Sequence, residues 1–138
     1  MKTMFGATGR SRIRLVFLLV LVLALAAPPH ALAHARLLRS SPEQNKAVAT
    51  PLHVDLWFSE LLDGQFNAIS VFPLGERNVK AHPSLTRGEA KVDPRDRTHL
   101  SVALQPLPPG AYRVEWRVLS LDGHTAPGQF QFRVADSK

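Results

Sequence analysis

The chain has no cysteine, which excludes disulfides, thiolate metal sites and thiol nucleophiles together. Its only methionines are Met1 and Met4, so polypeptide beyond them offers no thioether either, and the soft donors that select Cu(I) are missing. The first 33 residues contain no acid, and their continuous apolar run, Leu15 to Ala27, is shorter than the ~20 residues a membrane-spanning helix requires. Imidazole, amine and carboxylate remain as possible ligands for a transition metal.

What is present at the start reads as an export leader. Lys2, Arg10, Arg12 and Arg14 precede the apolar run, Pro28-Pro29-His30 ends it, and Ala31-Leu32-Ala33 supplies a small-x-small cleavage site. This pattern predicts a cleaved secretory signal peptide over residues 1–33 and a mature chain of residues 34–138 that begins with His34. Ala33-His34-Ala35 is a rival frame that would cut before Arg36. The mature chain has the length of one small domain. Of the 17 Lys and Arg in the chain, four lie in the leader; the 13 that remain stand against 11 Asp and Glu, a net charge of +2 rather than the +6 of the whole sequence. Such a surface carries no basic stripe for neutralising phosphates, and export argues the same way, so no nucleic-acid partner and no membrane insertion of the mature chain are expected.

Alternation with a period of two marks half-buried strands at 53–59 and 112–118. Val54, Leu56 and Phe58 share one inward face, Tyr112, Val114, Trp116 and Val118 another, and Trp57 falls on the opposite phase. Phe130, Phe132 and Val134 continue the pattern in 129–134, with further β-rich runs at 35–40, 67–72 and 99–104 and a weaker one at 89–92. Turn formers separate them, among them Ser41-Pro42, Asp63-Gly64, Asp93-Pro94 and Asp122-Gly123. Seven short strands predict an all-β fold, a β-sandwich or Greek-key barrel, with no helix, repeat or second domain after the leader. Pro108-Pro109-Gly110-Ala111-Tyr112 reads as a tyrosine corner, and Trp116 is expected to pack between the sheets.

Cleavage before His34 exposes an α-amine beside the ring Nδ1, and the two close one chelate ring on a metal. The amine's ordinary pKa of roughly 7.7–8.0 lets a strongly bound cation displace its proton near neutrality. The plain alternative is a histidine that merely follows the cut. Asp122 and His124 are two residues apart, so on an extended backbone they point to the same side, and Gly123 lets that backbone bend. An ordinary Asp-Gly hairpin turn with a solvated histidine is the other reading. Taken together, these groups are three nitrogens and one oxygen. A tetragonal N,O set suits Cu(II), which heads the affinity series of first-row divalent metals; Zn(II) accepts the same groups tetrahedrally, and spacing does not choose between them. His53, His82 and His99 read as solvated histidines at strand edges or in loops, and Asp93-Pro94-Arg95-Asp96 as a charged turn.

The ordered set His34-Ala35-x-Leu37, Ser41-Pro42, Leu56-x-Phe58-Ser59-Glu60, Pro109-Gly110-x-Tyr112-x-Val114-x-Trp116 and Ser120-x-Asp122-Gly123-His124-x-x-x-Gly128-x-Phe130-x-Phe132-x-Val134 resembles the CopC family of periplasmic copper-resistance and copper-carrier proteins. The resemblance implies a seven-stranded Greek-key β-barrel of cupredoxin-like or immunoglobulin-like appearance. It further implies one Cu(II) per chain, held by His34, Asp122 and His124, with Glu60 as a nearby acid that orients a ligand imidazole. Some members carry a methionine-rich Cu(I) loop, to which the likeness does not extend.

By this resemblance the mature protein is a non-enzymatic periplasmic Cu(II) carrier or buffer in copper homeostasis and resistance, working with a CopD-like multi-pass copper-transport membrane protein. Two other readings stand beside it. An N-terminal-histidine copper monooxygenase needs an open coordination position and a broad substrate face, for which so small a barrel leaves little room. A metal-free secreted β-sandwich interaction module is favoured if cleavage follows Ala35.

Overall fold

Alternating apolar residues with no covalent cross-link must hold this chain by packing alone, and the computed structural model shows how they do so. It describes residues 34–75 and 83–136; residues 33–138 form one compact unit. The expected leader and His82 lie outside the described residues. Among those described, the strands are β1 (Leu37–Ser41), β2 (Ala47–Val48), β3 (His53–Phe58), β4 (Ala68–Pro73), β5 (Thr86–Val92), β6 (His99–Leu104), β7 (Gly110–Leu119) and β8 (Thr125–Val134), with no helix.

The strands form two four-stranded sheets, ordered β1-β3-β6-β5 and β2-β8-β7-β4. Most sheet neighbours are distant in sequence, so the chain crosses repeatedly between layers, as the Greek-key expectation requires. The all-β class is therefore as predicted, with one strand more than the seven expected. The extra strand, β2, has two residues and pairs in parallel with β8 through Ala47↔Arg133 and Val48↔Val134, too short for any periodic signal. Strand β5 extends further than its weak pattern indicated. Its pairing with β6 shifts register between Arg87 and Lys91 around Gly88, whose φ of 79° suits glycine, and such a bulge breaks alternation.

The core lies between the sheets. Val54, Leu56 and Phe58 of β3 and Leu100, Val102 and Leu104 of β6 meet Tyr112, Val114 and Val118 of β7 and Phe130, Phe132 and Val134 of β8, all of them buried. Each such aliphatic or aromatic side chain contributes roughly 1.5–3 kcal/mol of transfer free energy. The tyrosine corner is present: the Tyr112 hydroxyl donates to Pro108 O at 2.6 Å. Trp116 reaches across the sandwich to Phe58, ring centroids 6.2 Å apart, and lies against Phe130 at 6.0 Å. It covers Gly128, its partner across β7 and β8, where a Cβ would overlap the indole.

One expectation is overturned on the outer face of the first sheet. His99 is not a solvated histidine: its side chain is 17% exposed, with Nε2 2.8 Å from Asp55 Oδ1 and Nδ1 3.6 Å from Asp93 Oδ2. The register of β3 on β6 sets Trp57 opposite His99, and the two rings stack with centroids 4.4 Å apart. The Arg39 guanidinium covers the Trp57 ring at 3.7 Å. The outward phase expected for Trp57 thus gains a cation on one side and an imidazole on the other. His53 is exposed, and the 93–98 turn is charged as expected, with Asp93 and Asp96 capping the backbone amides of Arg95 and Thr98.

Candidate metal centre

At one end of the sandwich, β7 passes into β8 through a tight turn. Ser120 N donates to His124 O and Gly123 N to Ser120 O, both at 2.9 Å, and Gly123 takes φ 87°, where a side chain would be strained. Asp122 and His124 meet through this turn rather than along extended backbone. One Asp122 oxygen accepts the His124 backbone N–H at 3.2 Å, and the other stands 3.1 Å from His124 Nδ1. The backbone donor first, then the ring, holds the Asp122 carboxyl below the usual carboxylate range. Both side chains are exposed, so the Asp-Gly hairpin turn and the convergent pair are one structure.

His34 is brought to this turn by a clamp. Ala35 is buried, Arg36 N donates to Ser59 Oγ at 3.0 Å, and Ser59 N donates back to Arg36 O at 2.9 Å. These bonds fix the backbone that follows His34 and leave its ring with a centroid 6.1 Å from that of His124, tilted by 44°. Two imidazoles bound to one ion at about 2.0–2.1 Å have centroids within about 6.4 Å of each other. The observed separation therefore accommodates a shared ion. Among the described residues no group of three His, Asp or Glu side chains is arranged to hold an ion as it stands. His34 N in the uncleaved chain is also a peptide amide, not an amine.

Glu60 is half-buried and follows Ser59 of the clamp. Its chain neighbours Ser59 and Leu61 bond to Arg36 and to Leu121, which brings Glu60 to this end of the sandwich. Three positioning residues carry no local sequence signal for this role. Ser59 is legible only as part of Phe-Ser-Glu. Asn67, expected to start a strand, donates to Asp63 O at 2.6 Å and accepts from Leu119 N at 2.8 Å. Arg97 donates to Leu62 O at 2.8 Å, and Leu62 N to Arg97 O at 2.8 Å. They tie the 59–67 loop to the end of β7 and to the 93–98 turn.

The model of the CopC domain family matches residues 37–135. Copper resistance protein C of Escherichia coli is 35% identical over 107 residues, covering 75% of this chain and 83% of that protein. Copper transport protein CutJ of Bacillus subtilis is 31% identical over 128 residues, 91% of this chain and 22% of its own length. Among solved structures, CopC from Methylosinus trichosporium OB3b superposes with a TM-score of 0.66 at 27% identity, covering 76% of this chain and 97% of that one. PcoC of Escherichia coli, described as a methionine-rich copper resistance protein, superposes with a TM-score of 0.61 at 34% identity, covering 74% and 99%. Shared fold, shared sequence over most of both chains and a family match across nearly all of the sandwich agree: the chain belongs to the CopC family.

Proposed function

We propose that residues 1–33 are removed on export and that the mature chain, starting at His34, is a periplasmic carrier or buffer of Cu(II), binding one ion without catalysing a reaction. The His34 amine and ring, the His124 ring and the Asp122 carboxylate form the ligand set, a nitrogen-rich tetragonal group suited to Cu(II). The observation that carries this reading is the approach of His34 to the Asp122–His124 pair, ring centroids 6.1 Å apart, at the exposed end of the sandwich. Glu60 acts on the ligands' orientation rather than on the ion. The absence of cysteine and of methionine beyond Met4 favours the divalent over the monovalent ion. A CopD-like membrane transporter is the partner this role calls for, and the copper transport protein among the relatives supports it.

The test begins with the N-terminal residue of the exported protein, expected to be His34. Titration of that protein with Cu(II) is expected to saturate at one ion per chain, with an electron paramagnetic resonance spectrum of tetragonal, nitrogen-rich type. A mature start at Arg36, or no stoichiometric uptake by protein that starts at His34, overturns the reading.

A further inference from the structure

We propose that Phe66, Leu61 and Leu121 form an apolar rim beside the candidate copper site on which a copper-transport protein docks during hand-off of the ion. This rests on the reading of His34, Asp122 and His124 as that site. Six large apolar side chains are exposed among the described residues, and three of them, Phe66 at 80%, Leu61 at 50% and Leu121 at 48%, sit on the two loops that build this end of the sandwich. Leu121 N donates to Leu61 O at 2.9 Å, which joins those loops, and Leu121 directly precedes Asp122.

Phe66 is held out by a built turn. Gln65 N donates to Asp63 Oδ1 at 2.8 Å, Asn67 donates to Asp63 O at 2.6 Å, and Leu119 N donates to Asn67 Oδ1 at 2.8 Å. Between these anchors Phe66 adopts φ 60°, a left-handed conformation unfavourable for an aromatic residue. Strain that serves to expose a phenyl ring points to recognition rather than to folding. A cavity of about 500 Å³ is lined by Phe66 with Ile69 and Gly88. Another of about 540 Å³ is lined by Phe66, Arg117, Leu119 and Thr125, the residue that follows His124 in the chain. A fixed aromatic knob shared by two recesses has the make-up of an interface anchor.

The occupant is a copper-transport protein because hand-off requires two ligand sets in contact, and an apolar surround keeps water from competing there. In the Bacillus subtilis copper transport protein, the part that aligns with 91% of this chain is only 22% of the whole, so a domain of this kind is joined there to far more polypeptide than itself.

The experiment replaces the aligned segment of that Bacillus protein with residues 34–138, either native or carrying Phe66→Ser with Leu121→Ser, and measures copper accumulation by cells against the protein lacking the segment. Mature native and variant proteins are compared in parallel for Cu(II) stoichiometry, thermal unfolding and the rate at which EDTA removes copper, all expected to be equal. A small chelator needs no docking surface. Copper accumulation driven by the native graft is expected to fall at least tenfold in the variant. Equal accumulation by both grafts, or none above background from the native graft, overturns the proposal. Phe66-dependent sedimentation with phosphatidylethanolamine–phosphatidylglycerol vesicles overturns it in favour of a lipid surface, and a Phe66-dependent dimer does so in favour of a second copy. If the native mature protein takes up no Cu(II), the copper-site reading fails and the rim fails with it; if copper binds and the grafts are equal, the rim alone fails.

Discussion

The rings of His34 and His124, ninety positions apart in the chain, stand with their centroids 6.1 Å apart. Two independent devices produce this. The Ser59 clamp fixes the backbone after His34, and the Gly123 turn fixes His124 against Asp122. The side chains of His34, Asp122 and His124 are themselves exposed, so the proposed ligands and the fold are separable by substitution.

His124→Ala is expected to weaken Cu(II) binding by about a hundredfold or more, ~2.7 kcal/mol, while thermal unfolding of the copper-free protein stays put. Asp122→Asn keeps a neutral oxygen and is expected to cost about tenfold, and Glu60→Gln about 10–100-fold if the acid orients a ligand ring. Competition titration with a chelator of known affinity checks all three.

His99 provides the contrast. It is held by Asp55 and Asp93 and stacked on Trp57, on the outer face of the first sheet. His99→Ala is expected to change Trp57 fluorescence and to cost about 1 kcal/mol in urea unfolding, the upper range for a cross-strand pair. Cu(II) affinity is expected to remain that of the native protein; a tenfold loss would place a ligand where none is proposed.

These cases show what the sequence could carry. Period-two alternation located β3, β7 and β8 because each buries one face only, and it put Trp57 on the outside for the same reason. It was silent on β2, which has two residues, and weak on β5, where the bulge at Gly88 breaks the phase. His34, Asp122 and His124 were legible because a cleavage site and an Asp-Gly-His turn are local patterns. The Ser59 clamp, the Asn67 bonds to Asp63 and Leu119 and the His99 environment depend on contacts between segments distant in sequence, which no local pattern contains.

Tyr112 carries a pH-dependent part of the stability. Burial raises its phenol above the ordinary value near 10, so the folded state favours the protonated form. The stability this contributes is fully present below the unfolded-state value and is lost as pH rises through the folded-state value. Denaturant unfolding is expected to show a decline beginning above about pH 10. Tyr112→Phe removes the 2.6 Å bond to Pro108 O and is expected to cost about 1 kcal/mol at neutral pH. It is also expected to abolish this part of the alkaline decline.

Gly128 is fixed by the indole above it. Gly128→Ala puts a methyl group into the Trp116 ring, which must shift from Phe58 and Phe130, and overpacking of this kind costs about 1–3 kcal/mol. Urea unfolding is expected to report that loss, with a red-shifted Trp116 emission from greater exposure to water.

The central claim is that the ligand set depends on the terminal amine of His34, and a mature protein extended by one alanine before His34 tests it most directly. The extension converts the amine to an amide and leaves every core residue untouched. In paired competition titrations near neutral pH, the extended protein is expected to bind Cu(II) at least about a hundredfold more weakly than the protein that begins at His34, with the same thermal unfolding midpoint. Equal affinity for the two would contradict the chelate and, with it, this assignment of the site.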